Sequence, residues 1–485
     1  MIAEANIIAQ NRFGYGARAD DAPLNDPRGW LKAQLAPDKS VPPQFANIPK
    51  TEDAIAQTKQ IVTQRREARK EAAAAATAAA NTGGTPPPLN AKGKPMLAPD
   101  QKPDVTLADL YIDQVNARVA AAVTTDAPFR ERLVHFWANH FAVSAEKQKI
   151  RALAGPYEQE AIRAHLDGSF GAMLMAVAHH PAMILYLDNE TSFGPDSAFV
   201  QSREGKSDRK FGLNENLGRE LLELYSLGVR TGYTQTDVTE LARAITGWSV
   251  VSDRPALERV MMTGQHGFAY YPPMHEPGKR TILGKIYKQD GHDQGVAILA
   301  DLGVHPATAH HIATKLARHF IADDPPPTAV AKLEHVFNET GGDLPSLHRA
   351  LVDLPEVWSS KPASKYKTPW DYVISIGRLT GPGETKPRQL AGLFTQLGQT
   401  VYTPGAPAGW PDTASTWLSS DGLSKRIDVA TAVGKAKGAS LDARALATQL
   451  YGSSLSSATR VAINTADSGQ QALALLLSSP EFMRR

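Results

Sequence analysis

The chain contains no cysteine among its 485 residues. That absence removes disulfides, thiolate nucleophiles and Cys-ligated zinc or iron–sulfur sites. An excess of one charge is also missing: 52 lysines and arginines face 50 aspartates and glutamates, for a formal net charge of +2. Binding of nucleic acid through bulk positive charge is therefore not expected. No run of about 18 apolar residues is present, so the sequence offers no integral membrane segment. Residues Met1 to Gln10 lack the basic start and apolar stretch of a secretory signal. A cysteine-free chain of this size still fits export. A periplasmic or secreted location is the favoured reading, with the cytoplasm as the alternative. An apolar share of 42% and a charged share of 21% leave ample material for a core.

What is present is helical periodicity, over a length that favours more than one structural unit. Residues 1–50 read as an N-terminal helical part of the core. Within them Asn11-Arg12-Phe13-Gly14-Tyr15-Gly16 reads as a packing turn, and Asp26-Pro27 starts a helix. Gly14 and Gly16 lack the third glycine and the preceding strand of a phosphate loop. Residues 51–104 read as an insertion, a solvated Ala/Lys/Arg-rich helix with weak apolar anchoring and then a flexible Pro/Gly-rich segment. Residues 105–250 form a central helical core with an aromatic stripe of Phe129, Leu133, Phe136, Trp137 and Phe141. Residues 190–212 read as a long loop. Over 251–290 glycine and proline recur, and loops with at most a small hairpin are expected. Helices return over 291–485. The expected fold is mainly α, a large multi-helix single globular assembly with long loops.

The stretch Asn214–Trp248 concentrates functional groups beside a regular apolar pattern. Asn214 is placed near an N-cap, and Leu217, Leu221 and Leu224 share one face. Glu215, Arg219 and Glu223 are spaced for ion pairs. Glu220 borders the apolar face, where desolvation raises a carboxyl pKa. Gly228 is placed to end the helix, and Thr234 with Asp237 to cap the next. Glu220 and Glu223 are thus a candidate carboxylate pair, for general acid–base work or for holding a metal, with Arg219 and His140 assisting. A surface ion-pair ladder is the competing reading for Glu223.

HExxH is absent, and His135 and His140 are five residues apart, off the spacing of a helical metal pair. His140, beside Phe136 and Phe141, reads first as a core histidine and second as a ligand. His275-Glu276 on a Gly/Pro loop is the better second contributor. Asn214, Asn216, Trp137, Trp248 and His275 are the candidate substrate contacts. If a divalent metal is bound, His140, Glu220, His275 and Glu276 are its candidate ligands.

Several segments together resemble one family. They are the Asn11–Gly16 turn, Phe136-Trp137-Ala138-Asn139-His140-Phe141-Ala142-Val143, Asn214–Gly228, Gly232–Trp248 and Ile282-Leu283-Gly284. Gly409-Trp410-Pro411-Asp412 with Trp417-Leu418-Ser419, and Ser479-Pro480-Glu481-Phe482, complete the pattern. The combination resembles the bacterial domain-of-unknown-function family 1800. The resemblance implies an all-helical, commonly exported protein, often encoded beside a family with a sulfatase- or phosphatase-like fold, a possible partner. It brings no established activity or catalytic residues. Tyr225 and Glu276 stand where relatives often have His and Asp, which weakens a metal scheme needing imidazole at 225. The functional expectation is a hydrolase or lyase acting on an envelope or extracellular polymer, a polysaccharide included. The alternatives are a non-catalytic scaffold or export partner for the sulfatase-like neighbour, and a metal-binding protein.

Overall fold

Proline opens one helix after another in the computed structural model: Pro27–Ala33, Pro128–His140, Pro181–Tyr186, Pro306–Phe320 and Pro369–Thr380. A first-turn residue loses nothing by lacking an N–H, and the fixed φ suits a helix. Elsewhere side chains take over, as where Thr106 and Thr234 form capping boxes with Asp109 and Asp237. The structure describes residues 2–485 apart from 83–84, 86–87, 90–92, 94–104, 204–210, 253–254, 360–364, 382 and 384–385. Helix makes up 62% and strand 4%, so the fold is mainly α, as the periodicity predicts.

One apolar core runs from Ile8 through the central helices to Met483. The Pro128–His140 helix lies inside it, with Phe129, Leu133, Trp137 and Phe141 fully buried. The last residues return to this core: Lys367 N donates to Met483 O at 2.8 Å, and Arg485 N to Lys365 O at 3.0 Å. That return delivers the Arg485 guanidinium to the interior.

The 251–290 region holds more strand than one hairpin. β1 (Trp248–Val250), β2 (Met262–Thr263) and β3 (Phe268–Tyr270) form an antiparallel sheet in the order β1-β3-β2, with Trp248 opposite Tyr270. β4 (Arg280–Ile282) and β5 (Lys285–Tyr287) form the expected hairpin, with Ile282 opposite Lys285. Strands of two or three residues are too short to print an alternating pattern.

The Thr51–Thr82 helix is largely exposed, as expected, but Ala54, Ile61, Ala68 and Ala72 are buried along one stripe. Small side chains allow close approach there, so its anchoring is firmer than its composition suggests. Most of 83–104, and 204–210 within the expected 190–212 loop, lie outside the described residues. The rest of that loop includes the helix Ala198–Arg203 and a cluster of Phe193, Phe199 and Phe211, with ring centroids 4.9 to 5.3 Å apart. Among the described residues, no helix is long and apolar enough to cross a membrane.

Candidate functional site

Because the aromatic stripe of the Pro128–His140 helix is committed to the core, the residues flanking it face a cavity of about 340 Å³. Arg132, His135, Asn139 and His140 line it, joined by Tyr15 from the opening turn and by Lys315, Arg318 and His319 from the Pro306–Phe320 helix. Trp370 and Asp371, residues 399–402 and the Trp410–Thr413 segment complete the wall.

Long-range polar contacts fix these groups. Arg132 donates from Nε and Nη2 to Gly14 O at 2.9 and 2.6 Å, and from Nη1 to Asp371 Oδ1 at 2.9 Å. Its guanidinium lies 4.2 Å from the Tyr15 ring centroid. Arg485 Nε approaches the other Asp371 oxygen at 3.1 Å. Burial alone would raise the Asp371 pKa, but Arg132 and Arg485 hold it well below the usual carboxylate range. Arg118 pairs with Glu158 at 2.6 Å, and Tyr402 Oη donates to Glu158 at 3.2 Å. Asn139 binds the Trp410 backbone reciprocally, donating to its carbonyl at 2.9 Å and accepting from its N–H at 2.7 Å. Gly409 makes this approach possible: its φ is +80°, and an added Cβ would collide with the Asn139 carbonyl.

Two hydrogen-bonded pairs on the cavity wall are suited to proton transfer. His319 Nδ1 lies 2.7 Å from Asp412 Oδ2. Burial, opposed by Asp412, lowers the His319 pKa to about 4. Burial would raise Asp412, yet His319, Arg485 and Lys365 bring it to about 2. At neutral pH the contact joins a neutral imidazole to a carboxylate, so Nδ1 carries the proton and Nε2 keeps its lone pair. Nε2 is buried and has no hydrogen-bond partner among the described residues, so a substrate reaches it only when neighbouring side chains move aside. In the second pair, Tyr15 Oη lies 2.6 Å from His135 Nδ1. Glu131, ion-paired to Arg163 at 2.7 Å, sits 3.2 Å from His135 Nε2, which favours a proton on that nitrogen and leaves Nδ1 to accept from Tyr15. Burial raises the Tyr15 pKa, so the phenol stays protonated.

Lys315 sits one helical turn before His319, with His311 one turn earlier still. Burial lowers the Lys315 pKa to about 8. His311 connects this face to the Asn214–Trp248 stretch, because a Cβ on Gly228 (φ +90°) would meet His311 Nδ1 at 2.6 Å. His140 makes a second connection: its Nε2 donates to Tyr225 O at 3.2 Å, and Tyr225 Oη donates to Ala142 O at 3.2 Å. The lone pair on His140 Nδ1 is then left without a partner among the described residues.

The Asn214–Trp248 stretch thus supports the cavity from behind. Its helix runs from Asn216 to Glu223, shorter than the pattern implies, and Glu215 occupies the N-cap position. Asn214 Oδ1 still accepts from Asn216 N at 3.0 Å, while its amide donates to Asp188 O at 3.2 Å. Arg219 reaches Glu215 at 3.0 Å and Glu223 at 3.4 Å, forming the surface ladder. Glu220 is half-buried, and burial followed by repulsion from Glu223 raises its pKa to about 7. It does not line the cavity. Asn216 is exposed at the helix start.

Other expected contacts are buried for packing. Trp137 is fully buried and donates from Nε1 to His348 Nε2 at 3.2 Å. Trp248 is fully buried beside His179, with centroids 4.4 Å apart. Neither presents a face to a ligand. His275 is held inside, with Nδ1 3.1 Å from Thr246 O, rather than standing on an open loop. Glu276 accepts from Asp196 N at 2.8 Å. Of the four candidate metal ligands only His140 lines the cavity, and no group of three or more His, Asp or Glu side chains among the described residues could hold a metal ion. The intended ligand set is not brought together, because each side chain is already committed to its own backbone partner or face.

Sequence reasoning passed over His319, Asp412, Lys315, Arg132, Tyr15 and Asp371 as site residues. One signal was available: His311, Lys315 and His319 repeat at four-residue spacing on one helix face. The segments carrying Tyr15, Asn139 and Asp412 are among those that carry the family pattern, and here they meet around one cavity. No curated protein and no solved structure matched the chain. A family profile described as "Protein of unknown function (DUF1800)" matches residues 8–484, nearly the whole length, and the chain belongs to that family.

Proposed function

We propose that this protein is a hydrolase or lyase acting on a saccharide of an envelope or extracellular polymer, with its chemistry in the cavity between the Pro128–His140 and Pro306–Phe320 helices. The observation that carries the reading is the 2.7 Å His319–Asp412 contact, which orients a neutral imidazole on the wall of a cavity. A carboxylate that fixes the tautomer leaves Nε2 as a base at neutral pH. Tyr15, its phenol kept neutral and a guanidinium against its ring, is the proton donor to a leaving oxygen. Trp370, Trp410, Tyr157 and Tyr402 add aromatic surface among polar groups, a lining suited to a pyranose ring. In this scheme His319 takes a proton either from water, whose oxygen bonds to the anomeric carbon, or from a substrate carbon, whose C–H electrons form a C=C bond. The C–O bond to the leaving group breaks, and Tyr15 protonates the departing oxygen.

The test is a screen of purified protein against bacterial envelope and extracellular polysaccharides, followed by His319→Ala on any substrate found. A fall in turnover of about 10²–10⁴-fold is expected for a lost general base. Full activity in that variant sinks the assignment.

A second reading rests on a different observation. The Thr51–Thr82 helix presents most of its length to solvent, which favours docking to a sulfatase- or phosphatase-like neighbour. Co-purification of the neighbour with the full chain, lost on shortening this helix, is the measurement that supports it.

A further inference from the structure

The charges around the cavity do not cancel. Its three lining carboxylates are already engaged: Glu158 by Arg118 at 2.6 Å, Asp371 by Arg132 at 2.9 Å, and Asp412 by His319 at 2.7 Å. Arg485 and Lys365 lie behind the last two and add further positive charge, at 3.1 Å from Asp371 and 3.5 Å from Asp412. Lys315 and Arg318, on the same wall as His319, have no carboxylate partner among the described residues. Arg318 donates from Nε to the Asp323 carbonyl at 3.1 Å, and Lys315 Nζ makes no hydrogen bond or ion pair there. Asp412 acts on the half-buried Lys315 only through space and is already held by His319, Lys365 and Arg485, so an anionic ligand group is what would balance Lys315 and Arg318.

We infer that the substrate is a uronate-containing saccharide, that Lys315 with Arg318 binds its carboxylate, and that the reaction is β-elimination. This rests on the reading of the cavity as a saccharide-cleaving site. The spacing supports the reaction class: Lys315 and His319 are one helical turn apart, so carboxylate clamp and base approach neighbouring atoms of one sugar. The clamp neutralises the C6 carboxylate and so acidifies the adjacent C5–H. His319 Nε2 takes that proton, the C5–H electrons form the C4=C5 double bond, and the C4–O4 bond breaks. The departing O4 takes a proton from Tyr15, and solvent exchange restores both side chains. No water is consumed and no oxidant is needed.

The experiment uses the full chain with polygalacturonate, alginate and a neutral glucan, recording ultraviolet absorbance of the conjugated double bond and new reducing ends in parallel. Calorimetric titration with a galacturonate oligosaccharide accompanies it. The expected result is both signals on a uronate polymer and neither on the glucan. Lys315→Met should weaken oligosaccharide binding roughly tenfold to a hundredfold, the loss of one charged hydrogen bond, with Lys315→Arg restoring part of it. Matching thermal melts of the two variants show that the difference is not one of folding. Reducing ends without absorbance, or cleavage of the glucan alone, overturn the inference while leaving a hydrolase in place. Lys315-dependent binding without cleavage sustains carboxylate recognition and overturns the enzymatic reading with its elimination step. Absence of both binding and cleavage on the uronates overturns the inference.

Discussion

His319 and Asp412, 93 residues apart, meet at 2.7 Å, and the rest of the cavity is arranged around that contact. Asp412 also lies 3.3 Å from Arg485 and 3.5 Å from Lys365, so its charge has three partners. The two ends of the contact should therefore fail differently. His319→Ala leaves Asp412 paired and should lower activity with little change in melting temperature. Asp412→Asn leaves buried cations less compensated and should cost on the order of 3 kcal/mol as well as activity. Thermal melts of both variants check this, and equal destabilisation would count against it.

Acid should unfold the protein through its histidines. Burial brings His311 and His319 to about 4, and His179 and His348 to about 3, from an ordinary value near 6.5. A histidine with a depressed folded pKa stabilises fully above the unfolded pKa, and that stability is lost as pH falls toward the folded value. The contribution of these histidines should thus be constant above about pH 7 and fall between pH 6.5 and 4. The slope is about 1.4 kcal/mol per pH unit for each histidine that the unfolded chain protonates first. Chemical denaturation at pH 7.5 and 5.0 measures it; equal stability at the two values would refute the burial of these neutral imidazoles.

The Asn139–Trp410 bridge offers a structural test of the cavity rim. Gly409→Ala forces a side chain into a left-handed backbone and against the Asn139 carbonyl. A loss of about 2 kcal/mol or more is expected, since strain of about 1–3 kcal/mol joins the steric clash. Asn139→Ala removes two hydrogen bonds to the Trp410 backbone, which should cost about 1–3 kcal/mol. Both changes release the same loop, so the double variant should lose less than the sum. Additive losses in urea denaturation would show that loop and helix are independent.

Helices and several of their starts were legible because their signals are local. Asp26-Pro27 starts a helix with Asp26 accepting from Gly29 N at 2.9 Å, and Thr234 with Asp237 caps another. The Arg219 ladder and the raised pKa of Glu220 also follow from projecting one helix. The candidate site was less legible, because its contacts join distant segments. Tyr15 meets His135 across 120 residues, and Arg132 meets Asp371 across 239. No periodicity encodes such pairings. Trp137 and Trp248 misled for a related reason: an aromatic ring on an apolar stripe buries more area in the core than a ligand could cover. Acids on an amphipathic helix draw the eye, while a lysine and a histidine one turn apart draw attention only after a cavity is seen beside them.

Glu220 separates the two locations for the chemistry. It is half-buried, with its pKa raised to about 7 by burial and by Glu223. A carboxyl whose folded pKa is raised is favoured in its neutral form, so stability declines as pH rises from about 4.5 to 7. Glu220→Gln supplies that neutral form permanently. The variant should gain stability at pH 8, by on the order of 1 kcal/mol or less once solvent screening at this half-exposed position is allowed for. The gain should vanish near pH 4, where the wild-type side chain is already protonated. If the reacting groups lie in the cavity with His319, turnover should survive this substitution; if the acidic helix itself carries the reaction, turnover should collapse while stability rises. Melting curves at both pH values, run beside activity of the same preparations, decide between the two helices.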